Sequence, residues 1–217
     1  MDFSADDPFP CLSRELYTYP EAQLHSEKVD QWLGLRTDET ERAILANDDY
    51  VRIEEQGEQR LWIGLPVQTL LTPYLEIRTL LQDLNPKPGD LLVDLGAGYG
   101  RIGFVLARHY PGVQFLGFEY VKERVMEACR CGVRLEQADL FSPNFLLPWA
   151  ETYFIYDYGS RQAVSRTLEN LKACSRKKAI QVVGRGRLTR DLIEREHPWL
   201  SQVNEPQHRG NYSIYRS

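Results

Sequence analysis

The apolar pattern changes period partway along the chain. From Leu91 onward, short apolar runs suited to buried strands alternate with stretches of helical spacing. Strands are predicted over 91–96, 113–119, 133–138, 152–157 and 179–184. Helices fit between and after them at about 100–109, 121–130, 161–174 and 188–196. Such alternation predicts a doubly wound α/β domain, a mostly parallel sheet with helices on both faces. The end of the chain differs. A run from Leu200 to Glu205, a turn near His208-Arg209-Gly210-Asn211, and Tyr212-Ser213-Ile214-Tyr215 predict an antiparallel hairpin at the sheet edge.

Upstream of Leu91 the pattern is less regular. Residues 1–20 are proline-rich and aperiodic and read as an arm, which Tyr17 and Tyr19 would pin to the body. From Glu21 to about Leu35, Leu24, Val29, Trp32 and Leu33 supply an apolar stripe at helical spacing. A second helix starts at Thr37, with Asp38 and Glu39 in its first turn. Tyr50–Ile53 and Arg60–Gly64 alternate like a small hairpin around Gly57. A helix follows from Pro73 to Leu84, and Asn85-Pro86-Lys87-Pro88-Gly89-Asp90 stops it. The expected organisation is a small α+β extension over 1–64 ahead of a larger domain over 65–217.

Charge sharpens that division. Residues 1–85 hold 17 acidic and 7 basic side chains, a net of −10, and residues 86–217 a net of +5. An acidic extension is a poor partner for a phosphate backbone. It suits a basic protein partner, or simply a solvated acidic face. The 217-residue length allows one good core, or one core and a small module. No apolar run is long enough to span a bilayer, and the acidic N-terminus lacks a signal-peptide layout, so a cytoplasmic location is expected. Cys11, Cys129, Cys131 and Cys174 form no C-x-x-C knuckle, so no metal site is expected.

The candidate chemistry centres on Leu91-Leu92-Val93-Asp94-Leu95-Gly96-Ala97-Gly98-Tyr99-Gly100-Arg101. A strand here makes a turn with glycines at alternate positions and enters a helix, a place where a nucleotide-like ligand can approach the backbone. The third glycine of a dinucleotide-type G-x-G-x-x-G turn would fall at Arg101, which disfavours a nicotinamide or flavin reading. A tight turn without ligand is the plain alternative. Glu119 ends the next predicted strand, where a carboxylate can accept from both hydroxyls of a ribose or merely cap a helix. Asp139, at the end of the third, can meet an adenine amino group beside Leu140, or make an Asx turn.

Taken together, Asp94-Leu95-Gly96-Ala97-Gly98-Tyr99-Gly100-Arg101-Ile102, then Glu119, then Asp139-Leu140, resemble the first three cofactor motifs of class I S-adenosylmethionine (SAM)-dependent methyltransferases. The resemblance covers roughly 65–217 and implies a seven-stranded sheet ending in an antiparallel hairpin. It implies SAM as cofactor: Gly96, Ala97, Gly98, Tyr99 and Gly100 beside the methionine part, Asp94 orienting the loop or reaching the amino group, Glu119 on the ribose, and Tyr120, Asp139 and Leu140 around the base. Leu65-Pro66 and Thr72-Pro73-Tyr74 are also similar to a segment of non-SET protein-lysine methyltransferases that closes over the methionine end. That similarity makes Thr72 a cofactor contact, Tyr74 a lid or catalytic candidate, and a protein lysine the favoured acceptor. Tyr99 departs from the acidic residue common in one branch.

In this family the end of the fourth strand faces the transferred methyl group. Here it reads Tyr156-Asp157-Tyr158-Gly159-Ser160, without the Asn/Asp-Pro-Pro-Tyr/Phe box or the Pro-Cys nucleophile of DNA-base enzymes. DNA is therefore not expected as substrate, and RNA and small molecules remain open. Methyl transfer from a sulfonium runs on alignment, and a base is needed only if the acceptor arrives protonated. Asp157 and Tyr158 are the candidates to position the acceptor or take its proton. Arg185, Arg187 and Arg190, with Lys177 and Lys178 before them, form either a basic rim for an acidic substrate or a solvated face. A non-catalytic interaction protein on the same fold is the alternative from another class.

Overall fold

The computed structural model describes residues 3–56 and 60–217. Its seven strands are β1 (Leu91–Leu95), β2 (Gln114–Glu119), β3 (Leu135–Gln137), β4 (Thr152–Tyr156), β5 (Gln181–Arg185), β6 (Gln207–Arg209) and β7 (Tyr212–Arg216). They form one sheet in the order β3-β2-β1-β4-β5-β7-β6. The first five pair in parallel, and β7 runs antiparallel to both β5 and β6. The order reverses at β1, so the crevice for a ligand opens at the C-terminal ends of β1, β2 and β4.

Helices α1 (Tyr19–Leu33), α2 (Thr37–Leu45), α3 (Asp48–Gln56), α4 (Val67–Leu70) and α5 (Tyr74–Leu84) precede the sheet. The crossovers are α6 (Arg101–His109), α7 (Lys122–Arg130), α8 (Arg161–Ser175) and α9 (Arg187–Glu196), and α10 (Pro198–Ser201) is a final turn. The two faces of the sheet bury separate apolar cores. One joins Leu92, Phe104 and Val105 with α5 and with Phe9 and Val29 of the N-terminal segment; the other joins Val93, Tyr153 and Ile155 with α8 and α9. Among the described residues no helix is long and apolar enough to cross a membrane.

Local chemistry explains most boundaries. Thr18 and Glu21 form a reciprocal capping box on α1, Pro20 sits in its first turn, and Gly34 closes it in the left-handed conformation. Ser160 caps α8 by accepting from the Ala163 N–H.

Four expectations fail. Tyr50–Ile53 lies in helix α3, not in a strand. Asp48 and Asp49 occupy its first turn, and the Asn47 side chain accepts from the Asp49 N–H, while Tyr50 and Ile53 fall three apart on the face packed against Ile44, Leu61 and Val121. The hairpin turn expected around Gly57 lies outside the described residues. The first strand of the terminal hairpin is 207–209 rather than 200–205, because Pro198 starts a helical turn through that stretch. The arm is pinned by Phe9, packed on Tyr74 at 5.1 Å between ring centroids, and by half-buried Tyr17 beside Thr79, and not by Tyr19, which is exposed. On α1 the buried face carries His25, Ser26, Val29 and Asp30, leaving Leu24 and Trp32 outside.

Candidate active site

A cavity of about 370 Å³ opens where the ends of β1, β2, β4 and β5 converge. Its roof is the segment from Arg60 to Thr72. Of the expected site residues, Asp94, Gly96, Ala97, Gly98, Tyr99, Glu119, Tyr120, Asp139, Leu140, Thr72, Asp157 and Tyr158 line it; Gly100 and Tyr74 do not.

The glycine turn is held by the neighbouring strand. The N–H groups of Gly96 and Ala97 both donate to the Phe118 carbonyl at 2.9 Å. Gly96 has φ 85°, and a Cβ there would stand 2.3 Å from Cβ of Tyr158, so no other residue fits under the β4 loop. Gly100, at φ 70°, starts α6.

Two buried carboxylates face each other across this turn. Glu119 accepts from the Gly98 N–H through Oε2 and from the Val121 N–H through Oε1, both at 2.9 Å, and stands 3.8 Å from Arg124. Each oxygen keeps a second lone pair for a ligand. Asp94 has no hydrogen bond or ion pair among the described residues. Burial, and then the charge of Glu119, push its carboxyl up to about 7. An unpartnered, buried carboxylate lining a cavity is a site for a cation or a donor. At the far end Asp139 makes an Asx turn, accepting from the Phe141 N–H at 2.9 Å, beside buried Leu140 and half-buried Tyr120.

The expected catalytic residues are engaged elsewhere. The Asp157 carboxylate accepts from the N–H groups of Leu188 (3.1 Å) and Thr189 (2.8 Å) and from the Thr189 hydroxyl (2.7 Å), and so caps the start of α9. It reaches that position from a left-handed backbone (φ 35°), passing over Gly186, where a Cβ would stand 2.2 Å from Oδ2. Tyr158 turns its hydroxyl away to the Thr167 hydroxyl and the Ala163 carbonyl, and burial raises its pKa. Tyr74 is fully buried, with its hydroxyl on Asp30 at 2.8 Å and its ring under Arg101. The lid role expected of it gives way to a place in the core, because Asp30 offers its hydroxyl a buried acceptor.

Tyr99 borders the cavity, but its hydroxyl donates to Glu41 at 2.9 Å, on α2. Glu41 also takes two bonds from Arg124, at 2.7 and 3.0 Å. A parallel link runs from Asp30 on α1 to Arg101, whose Nη1 donates to the Thr72 carbonyl at 2.9 Å. Two buried ion pairs thus clamp the N-terminal helices onto α6 and α7, next to the glycine turn. Sequence reasoning missed both: Arg101 stood out only as a missing glycine, and nothing local marks Asp30 or Glu41 as buried.

The other side of the cavity, at the ends of β4 and β5, is aromatic and cationic. Trp62, itself left-handed at φ 56°, donates its indole N–H to the Asp157 carbonyl at 2.9 Å. Arg185 lies over the Tyr156 ring at 5.0 Å and donates to Glu76 at 2.7 Å. The expected basic rim therefore splits. Arg185 is buried and lines the cavity, Arg187 is exposed beside Asp191, and Arg190 bonds the Gly186 and Gly210 carbonyls. No group of side chains among the described residues is placed to hold a metal ion.

No family model matches the chain. No curated protein matches it either. Solved structures do. TrmN from Thermus thermophilus is similar with a TM-score of 0.51 at 17% identity, over 67% of this chain and 48% of that one. This chain thus spans about half the length of that protein. An RNA methyltransferase from Salinibacter ruber, in complex with S-adenosyl-L-homocysteine, gives 0.46 at 21% identity over 67% and 91% of the two chains. A TehB-like SAM-dependent methyltransferase from Corynebacterium glutamicum gives 0.49 at 15% identity over 63% and 84%. With five parallel strands, the 3-2-1-4-5-7-6 order and the reversed seventh strand, the chain has the class I, Rossmann-like methyltransferase fold.

Proposed function

We propose that this protein transfers a methyl group from SAM to an acceptor that reaches the site as a neutral or already deprotonated nucleophile. The observation that carries the cofactor is the pairing of Asp94 and Glu119, two buried carboxylates at adjacent strand ends on one cavity, with the glycine turn between them. SAM supplies a methyl group on a sulfonium, transferred in a single in-line displacement. Asp94 fits its ammonium, Glu119 its ribose hydroxyls, and Tyr120, Asp139 and Leu140 its base. The backbone from Gly96 to Gly98 accommodates the methionine part, and Thr72 closes that end from the roof.

The acceptor class follows from what the β4 end lacks. A lysine ammonium must lose a proton before it can attack. Asp157, the expected base, has both oxygens on α9, and the Tyr158 phenol has its pKa raised and its hydroxyl on α8. A protein lysine is therefore not the acceptor this geometry favours, and a nucleophile that needs only alignment and desolvation fits better. The N-terminal segment 1–64 acts as a cap that shapes the cavity of the 65–217 domain, through the pairs from Asp30 and Glu41. Four free cysteines fit a reducing, cytoplasmic setting.

Calorimetry with SAM and with S-adenosylhomocysteine tests the reading. Binding of both at a 1:1 ratio is expected. Folded protein that binds neither overturns it.

A further inference from the structure

Arg185 carries more positive charge toward the cavity than its partners absorb. Its guanidinium is nine-tenths buried, and only Nη2 is engaged, donating to Glu76 at 2.7 Å. Nε and Nη1 are buried with no hydrogen-bond partner among the described residues. A buried charge-bearing group with unmade hydrogen bonds is costly unless a ligand completes it. Glu76 does not neutralise it alone, because Arg14 also stands 3.6 Å from that carboxylate and Asn211 donates to it at 2.8 Å. The cluster of Arg185, Arg14 and Glu76 holds one positive charge in excess.

Its position assigns this charge to the acceptor rather than to the cofactor. Arg185 ends β5, paired with Tyr156 at the end of β4, while the glycine turn follows β1, on the far side of β4. At about 4.8 Å between strands, two strand spacings separate Arg185 from the turn. The surfaces beside it are aromatic: Tyr156, 40% exposed beneath the guanidinium, and Trp62, tied to the same strand end through Asp157.

Resting on the methyltransferase reading above, we propose that the acceptor is a small aromatic molecule bearing an oxyanion, a carboxylate or a phosphate, which the under-satisfied Arg185 guanidinium receives while Tyr156 and Trp62 flank its ring. The cavity is small for two ligands, at about 370 Å³. The chain ahead of the sheet is acidic as a whole, net −10 over residues 1–85, which disfavours a polyanion such as RNA.

The test loads the full-length protein with S-adenosylhomocysteine and titrates benzoate, phenyl phosphate and neutral benzamide by calorimetry. At least one oxyanion is expected to bind tenfold or more tightly than benzamide, and the better one identifies the carboxylate or phosphate source. Arg185→Lys keeps a cation for Glu76 but removes the guanidinium. It should erase the preference while leaving S-adenosylhomocysteine affinity within twofold. Tyr156→Ala, at an exposed ring, should weaken phenyl phosphate against inorganic phosphate, and it serves where Arg185→Lys fails to fold. The proposal is overturned by equal binding of benzamide, by a preference that survives these substitutions, by a tenfold loss of S-adenosylhomocysteine affinity in Arg185→Lys, or by an oligoribonucleotide that outbinds the small oxyanions. Failure of the wild type to bind S-adenosylhomocysteine counts instead against the methyltransferase reading, and titrating the ligand-free protein with the same probes then still decides the role of Arg185.

Discussion

The two halves of the cavity use their polar residues in opposite ways. On the β1–β2 side the carboxylates keep capacity for a ligand: Asp94 has no partner among the described residues, and Glu119 accepts from two backbone N–H groups with Arg124 3.8 Å away. On the β4–β5 side Asp157 and the Tyr158 phenol are committed to structure, to α9 and to α8, and Arg185, paired with Glu76 through Nη2, leaves two nitrogens without a hydrogen-bond partner among the described residues. The first half suits the cationic, hydroxyl-bearing ligand proposed for it. The second offers orientation and positive charge but no proton acceptor. A methyl donor that is itself a cation and an acceptor that brings negative charge would meet there with their charges complementary.

The largest effect expected from breaking this contrast lies behind the first half. Glu41 is the shared acceptor of Arg124 and Tyr99, all three of them buried. Glu41→Ala leaves the Arg124 charge with the Leu61 carbonyl and with Glu119, 3.8 Å away. Removing one partner of such a buried pair costs about 3–5 kcal/mol, to be read from urea denaturation. Released Arg124 should also move onto Glu119 and weaken SAM binding. The exposed pair Arg134–Glu136 is the control, because its disruption should cost about 0–1 kcal/mol. Equal losses at the two sites would show that the cap is not clamped by this network.

Next in size is Glu119→Ala. Losing two hydrogen bonds donated to a charged acceptor, each about 1.5–3 kcal/mol, makes SAM affinity fall by about 100-fold or more. The Gly98 N–H is orphaned as well, so the turn loosens. Calorimetry that shows less than a tenfold loss removes Glu119 from the binding site and leaves it as a brace for the turn.

Asp157→Ala separates structure from chemistry on the other side. Losing a cap that satisfies three donors should cost about 2 kcal/mol of stability. Asp157→Ser should recover part of that, as a shorter cap. Once an acceptor is in hand, turnover per folded molecule at saturating substrate should change by no more than about threefold. A loss of 100-fold or more with unchanged stability would return Asp157 to the role of base and dissolve the contrast.

The sequence displays these halves unequally, for a physical reason. The β1 turn was legible because it depends on neighbours along the chain: an apolar strand, three glycines and a helix within about a dozen residues. Glu119 and Asp139 were legible because each ends a strand whose period is local. Asp157 was placed at the cavity correctly, but its use is decided by Thr189, 32 residues away, and by Gly186, which lets the carboxylate pass. Tyr74 was misread because its partner Asp30 lies 44 residues upstream on a helix whose buried face is polar. Tyr50–Ile53 shows the limit in miniature. Four residues of alternating character suit a strand or one turn of helix, and the acids ahead of them decided the matter.

The smallest effect gives the finest test, because it reads the charge state of the first half directly. With its carboxyl raised to about 7 by burial and then by Glu119, against about 3.9 in an unfolded chain, Asp94 binds its proton more tightly when folded. That contribution to stability is complete below pH about 4 and is lost as the pH rises toward 7. The ligand-free protein should therefore lose stability across this window, and Asp94→Asn should flatten the slope. An ammonium beside Asp94 favours the ionised form and reverses the trend. SAM should thus bind more tightly as the pH rises through 7, and Asp94→Asn should cost about tenfold in affinity at pH 8 but little at pH 5.5. Calorimetry at the two pH values checks this. A loss independent of pH would mean that Asp94 meets the ligand as a neutral hydrogen-bonding group, and the charge complementarity would then rest on Glu119 alone.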